Sequence, residues 1–227
     1  KKRLRKQANM SNLFLPQRAF FDFAFHSPLL KEPPKINGNI RDWAEGSQVP
    51  DLMSVDGQRS FATAHMAWDD SGLYFACEVK NKTTYKINPR EPTEGDCLEL
   101  FIDTRDVKEH RANRFCHRFY FLPGGTGKGG KKPTGRQISI DDAREQSPPC
   151  PEDSIKTGIK RLKKSYTLEI KLPASGLNGF APREFSRVGF TYLLHDSQHG
   201  TQSWSSISDM GVNSDPSTWG TAELATG

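Results

Sequence analysis

The sequence predicts an all-β protein: an antiparallel two-sheet β-sandwich, jelly-roll-like or immunoglobulin-like, with few short helices. Three observations carry that prediction. Short segments of alternating apolar and polar residues recur through the 227 residues at the spacing of a sandwich. Helical periodicity is nearly absent. The 19 Gly and 15 Pro punctuate the alternating segments and leave little room for a long helix.

Taken in order, residues 1–34 read as a basic N-terminal arm, KKRLRK, followed by an aromatic segment, FFDFAF, that docks on the domain. Residues 35–227 form the sandwich. INGNIRDWAEGS (36–47) is a turn anchored by Trp43. SFATAHMAW (60–68) and LYFACEVK (73–80) are strands joined by DDSG, a loop with hairpin chemistry. Alternation sends Leu73, Phe75, Cys77 and Val79 to one face, and Tyr74, Ala76, Glu78 and Lys80 to the other. Further strands follow at 97–103, 114–122, 136–140, 154–162, 165–173, 187–196 and 219–224. Single helical turns are expected at 105–112 and at PASGL (173–177).

Hydrophobic residues make up only 34%, while aromatics reach 10%, so the fourteen Phe are expected to supply much of the core. No apolar run is long enough to span a membrane, and a soluble protein is expected. The net charge of +5 is unevenly placed. Lys1, Lys2, Arg3, Arg5 and Lys6 form one cluster, and Lys128, Lys131 and Lys132 form another in GKGGKKPTGR (127–136). Such segments are commonly solvated, and they also suit a polyanion. Cys77, Cys97 and Cys116 fall in strands, where an isolated Cys packs as a small hydrophobe. Cys150 lies in a loop, and no CxxC pair suggests zinc or redox chemistry. The sequons at Asn9 and Asn81 do not decide the compartment.

Familiar catalytic patterns fail on inspection. GTGKGGK (125–131) has half of a P-loop, but Lys132 stands where Ser or Thr holds magnesium, and no helix follows. His195 and His199 have zinc-like spacing only on a helix, and here they straddle a strand end. No G-x-S-x-G elbow surrounds any Ser. No carboxylate pair stands out as glycosidase-like. The sequence marks no enzyme. Calcium suits the chain better than a transition metal, with Asp69, Asp70 and Asp103 as donors and Asp106, Asp141 and Asp142 beside them. Asp is also simply a good turn residue.

One stretch stands apart. In GDCLELFIDTRD (95–106), alternation sends Leu98, Leu100 and Ile102 to one face and Cys97, Glu99, Phe101 and Asp103 to the other. A carboxylate at the centre of such a strand suits catalysis, a polar ligand or plain solvation. Set in order, INGNIRDWAEG, AHMAWDDSGLYFACEVKNKT, EGDCLELFIDTRD, YTLEIKLPASGL and RVGFTYLLHD…WSS…DPSTWGTAEL resemble the successive motifs of family 9 carbohydrate-binding modules. The resemblance runs over residues 36–224. It implies a sandwich related to sugar-binding and haem-binding DOMON-like folds, with ligand held against one sheet face by aromatic rings and charged side chains. The family's strand carboxylate falls on Glu99, and its basic partner on the next strand falls near Arg118. Tyr74, Glu78, Tyr120 and Trp204 share that face if the register holds. Trp43 and Trp219 align with family positions that look structural. NPREPTEGD (88–96) and SISDMGVNSDPS carry no ring where a sugar platform is expected.

The expected function is a non-catalytic carbohydrate-binding module, or a scaffold derived from one. A second reading is a basic interaction protein that uses the sandwich to bind RNA or a protein assembly through its arm and Gly/Lys loop. A third is a haem-binding DOMON-like domain with Met66, His65 or His117 as axial ligands. A sugar-binding module of bacterial type would be extracellular or periplasmic, whereas a nucleic-acid scaffold would be cytoplasmic.

Overall fold

The computed structural model describes residues 16–225, which form two packed β-sheets. The first contains β1 (Ala24–Pro28), β4 (Cys97–Asp103), β5 (Cys116–Thr126), β6 (Lys132–Ile138), β9 (Arg187–Asp196), β10 (Gly200–Ser203) and β11 (Gly220–Ala225), in the order β1-β11-β9-β4-β5-β6. β10 and β11 lie end to end along the same side of β9: β11 pairs with its first residues and β10 with its last. The second sheet has the order β2-β3-β8-β7, from β2 (Ala62–Asp69), β3 (Gly72–Lys80), β7 (Lys156–Leu162) and β8 (Ser165–Pro173). All pairings are antiparallel except β1 with β11, which is parallel.

Alternation builds the core. Leu98, Leu100 and Ile102 of β4, Phe119 and Phe121 of β5, and Phe190, Tyr192 and Leu194 of β9 point inward from the first sheet. Met66 and Trp68 of β2, Leu73, Phe75, Cys77 and Val79 of β3, and Tyr166, Leu168, Ile170 and Leu172 of β8 meet them. Six of the fourteen Phe are buried, so Trp68, Trp204, Trp219 and Tyr166 carry a large share of the interior as well. All four cysteines are free and buried, and burial pushes the thiols of Cys77 and Cys116 up to about 12. They behave as packing residues.

The sequence reading located nine of the eleven strands. It left out β1, short and Pro-terminated, and β10, whose GTQS carries no apolar alternation. The turn expected at 173–177 is a 3-10 turn at Ala174–Gly176. Residues 105–112 form no helix. Among the described residues no helix is long and apolar enough to cross a membrane.

Candidate functional site

β4 is the central strand of the first sheet, flanked by β5 and β9, and its polar row faces away from the core. Register sets Glu99 opposite Tyr120 and Leu193, Arg118 opposite Phe101, and His195 opposite Cys97. Opposed residues share a face, so Glu99, Arg118, Tyr120 and His195 converge on one side of the sheet. Arg118 Nε and Nη2 donate to Glu99 Oε2 at 2.9 and 2.6 Å. His195 Nε2 lies 3.0 Å from Glu99 Oε1, and an ionised carboxylate only accepts, so this nitrogen is the donor. Thr201 Oγ1 holds the other ring nitrogen at 3.2 Å.

These contacts fix the charge state. Burial pushes the Glu99 pKa up, but the His195 hydrogen bond and the Arg118 charge and hydrogen bonds outweigh it, and the net shift is downward. Of the roughly four acceptor positions of a carboxylate, three are filled. One position on Oε1 remains, as does Arg118 Nη1, whose closest acid is exposed Asp141 at 3.7 Å. The pair therefore retains one acceptor position and three of the five guanidinium N–H groups.

Above it lies a cleft of about 250 Å³, lined by Pro92, Thr93, Glu99, Arg118, Tyr120, Arg136 and Ile138. The floor is the sheet and the opposite wall is the 88–96 loop. Tyr120 is 7% exposed, and the Arg136 guanidinium sits 5.2 Å from its ring centre, so its flat face is already covered. Ligand sites commonly fall near 300–1,000 Å³, so this cleft lies just below that range.

A second hollow of about 630 Å³ lies beyond His195, over Leu193, Thr201 and Ser203. Its one cation, Arg18, is spent internally. It bonds Asp56 Oδ2 at 2.5 Å, Ser203 O and Oγ at 3.0 Å each, and the Trp204 carbonyl. The smaller cleft is the one lined by an ion pair with unfilled positions and by a second guanidinium, Arg136, unpaired among the described residues.

A buried clamp holds the strand ends that carry the site. Lys82 is fully buried, with Nζ 2.6 Å from Asp96 and 3.0 Å from Asp196. Asp96 precedes β4 and Asp196 closes β9. Asp96 also accepts from the backbone N–H of Lys86 and Ser197. The clamp thus keeps Cys97 and His195, and with them Glu99, in register.

The structure brings together Glu99, Arg118 and Tyr120 and does not bring Tyr74, Glu78 or Trp204 to them. Tyr74 and Glu78 lie on the outer face of the other sheet, where Tyr74 donates to Asp69 at 2.8 Å. Alternation gave their face correctly but not the sheet that carries it. Trp204 turns into the inter-sheet core, edge-on to Phe25 at 4.9 Å. Asp69, Asp70 and Asp103 do not converge. Asp69 caps Ser71, Asp70 pairs with Arg183 at 2.8 Å, and Asp103 accepts from the backbone N–H of Arg105 and Val107. Among the described residues no three His, Cys, Asp or Glu side chains are grouped to hold a metal.

Met66 points into the core, where the void it lines is about 10 Å³, too small for a haem. His65 lies on the outer face of the second sheet against Ser47. His117 is buried, and burial pushes its pKa down to about 4. Lys128, Lys131 and Lys132 sit exposed where β5 turns into β6. Lys1, Lys2, Arg3, Arg5 and Lys6 lie outside the described residues.

Two site residues escaped the sequence reading. His195 reaches Glu99 only through the β4–β9 pairing, across 96 positions. Arg136 reaches the cleft through the β5–β6 pairing, where a register shift between Leu122 and Thr126 hides the partner from simple counting.

Comparison with known proteins agrees with the resemblance drawn from the motifs. A family model described as carbohydrate family 9 binding domain-like matches residues 39–226. Among solved structures, a family 9 carbohydrate binding module from Caldicellulosiruptor kristjanssonii in complex with cellotriose aligns with a TM-score of 0.58 at 18% identity, over 89% of this chain and 93% of that one. A family 9 module from the same organism in complex with glucose gives 0.55 at 17%, over 89% and 95%. At these identities the likeness speaks to the fold. No curated protein matches the sequence.

Proposed function

The chain belongs to the carbohydrate family 9 binding domain-like family, and from that premise we propose that it binds a saccharide, without catalysis, in the cleft above Glu99 and Arg118. The observation that carries this reading is the half-satisfied ion pair. A buried carboxylate and guanidinium bond each other but leave one acceptor position and the N–H groups of Nη1 unfilled beside the cleft. Two neighbouring sugar hydroxyls complete that pattern, one donating to Glu99 Oε1 and the other accepting from Arg118 Nη1.

A carboxylate held ionised by Arg118 and His195 suits hydrogen bonding rather than proton transfer, which supports a binding role. Structures of the same fold hold cellotriose and glucose, which supports a sugar as the ligand class. The covered ring of Tyr120 means that polar contacts, not ring stacking, supply the affinity. Weak binding is therefore expected.

Isothermal titration against a panel of mono- and oligosaccharides tests the proposal, with Glu99→Ala and Arg118→Ala as controls. Each substitution removes a charge-assisted hydrogen bond of about 1.5–3 kcal/mol, which corresponds to a loss of roughly ten- to a hundredfold in affinity. Heat from no sugar, or full binding by both variants, would sink the reading.

A further inference from the structure

Glu99 already neutralises Arg118, yet the cleft contains a second guanidinium. Arg136 lines the same cavity, is exposed, and forms neither an ion pair nor a hydrogen bond with any described residue. Its placement is nevertheless defined. The guanidinium lies over the Tyr120 ring, 5.2 Å from its centre, and its N–H groups bond to no described residue. The acids nearby are otherwise placed: Glu91 and Glu94 are exposed beside Pro92 and Thr93 without lining the cavity, and Asp141 lies at Arg118.

β6 extends this pattern. Side chains alternate along a strand, so Lys132 stands on the same face as Arg136, four residues and about 13 Å away. Lys132 is exposed and, like Arg136, has no carboxylate partner among the described residues. The cleft and the strand leading out of it therefore present two unspent cations in one row.

We propose that the ligand is an acidic saccharide, a uronate, whose carboxylate is taken by Arg136 while its hydroxyls meet Glu99 and Arg118. This rests on the saccharide reading of the cleft and sharpens it. A guanidinium fork matches a planar carboxylate in two parallel hydrogen bonds, and an uncharged sugar leaves that fork unused. In an acidic oligosaccharide a later carboxylate reaches Lys132.

The test is titration of the whole chain with matched pairs that differ only at C6: glucose and glucuronate, galactose and galacturonate, mannose and mannuronate. At least one uronate is expected to bind about tenfold tighter than its neutral partner, the scale of one added charge-assisted contact. Arg136→Gln is expected to remove that preference, so that each uronate binds no tighter than its neutral partner. Added NaCl should weaken uronate binding and leave neutral binding unchanged. Neutral sugars binding as well as uronates, or Arg136→Gln weakening both alike, overturns the uronate assignment and leaves the saccharide reading standing. Silence from every saccharide overturns both. Binding of polyuridylate with no response to any uronate also overturns the assignment, in favour of a nucleic-acid role for the basic hairpin.

Discussion

Glu99 and Glu169 occupy nearly the same local setting on opposite sheets, and their surroundings give them different tasks. Each interrupts an apolar strand, in CLELFID and in YTLEIKLP, each points to the outer face of its sheet, and each is buried. Glu169 is covered by backbone. Its Oε2 accepts from the N–H of Asn37 and Gly38 at 2.7 and 2.6 Å, and its Oε1 accepts from Trp43 Nε1 at 2.9 Å. Glu99 is held by the side chains Arg118 and His195 and opens on a cleft. The difference lies in what covers the carboxylate. A folded-back chain segment closes one site and makes it a structural anchor, while a ring of side chains leaves the other accessible.

Breaking the closed site should produce the largest effect. Glu169→Ala leaves the buried Gly38 N–H and the part-buried Asn37 N–H and Trp43 Nε1 without their acceptor, a loss of about 3–5 kcal/mol by the usual cost of unsatisfied groups. For a chain of this size that lowers the melting temperature by roughly 10 °C. Thermal unfolding followed by circular dichroism measures it. Saccharide affinity per folded molecule should stay unchanged, because Glu169 lies on the other sheet. The cover itself can be attacked from beneath. A Cβ at Gly158 would come within 2.5 Å of the Ile36 carbonyl, so Gly158→Ala pushes the covering segment off and should cost about 1–3 kcal/mol.

Breaking the open site should invert that balance. Glu99→Ala is expected to abolish most ligand binding while lowering stability less than Glu169→Ala does, because Arg118 can turn its guanidinium towards Asp141 and water. Arg118→Ala is the harsher of the two for the fold. It leaves the Glu99 carboxylate buried with His195 as its one remaining partner, a loss of about 2–4 kcal/mol within the range for broken buried pairs. Should Glu99→Ala prove the more destabilising of the two glutamate variants, the division into anchor and binding site fails.

Much of this contrast was hidden in the sequence for a definite reason. Alternation told which face each residue of β3 and β4 takes, and the limits of β3, β4, β8 and β9 were nearly correct. It put Leu98, Leu100 and Ile102 in the core and Glu99 outside. Arg118 was placed by the resemblance to family 9 modules, and Tyr120 shares its face by alternation two residues further along β5. What alternation cannot supply is the pairing of distant strands. Tyr74 and Glu78 therefore seemed to share a face with Glu99 although they sit on the other sheet, and His195 was read as lying at a loop end. Nor does LEL differ from LEI in any way that reveals the cover. The segment Ile36–Trp43 meets Glu169 across more than a hundred residues of intervening chain.

Acid should act on the open site in a stated direction. The Glu99 pKa is lowered in the folded protein, so its ionised form stabilises the fold fully above the ordinary carboxylate value of 4.5. That contribution is lost as pH falls from there through the depressed folded value. Comparing the melting temperature of the wild type with that of Glu99→Gln along a descending pH series isolates it. The wild type's advantage should be constant near neutrality and shrink only on the acid side of the carboxylate range. An advantage that instead grows on acidification would mean that burial, not Arg118 and His195, governs this carboxylate.

His195 offers the smallest and most discriminating test. It contributes to the cleft only by holding Glu99 Oε1, and Thr201 in turn fixes the ring. As a positioning residue it should matter for ligand affinity through geometry rather than contact. His195→Ala frees the carboxylate to rotate about its bond to Arg118 and should weaken saccharide binding about three- to tenfold, in keeping with the loss of one hydrogen bond. His195→Gln retains an N–H donor of similar reach and should recover most of that loss. Recovery by Gln but not by Ala marks orientation as the role. Equal losses in both would instead mean that the imidazole itself touches the ligand, extending the open site across β9 and widening its contrast with the sealed carboxylate on the other sheet.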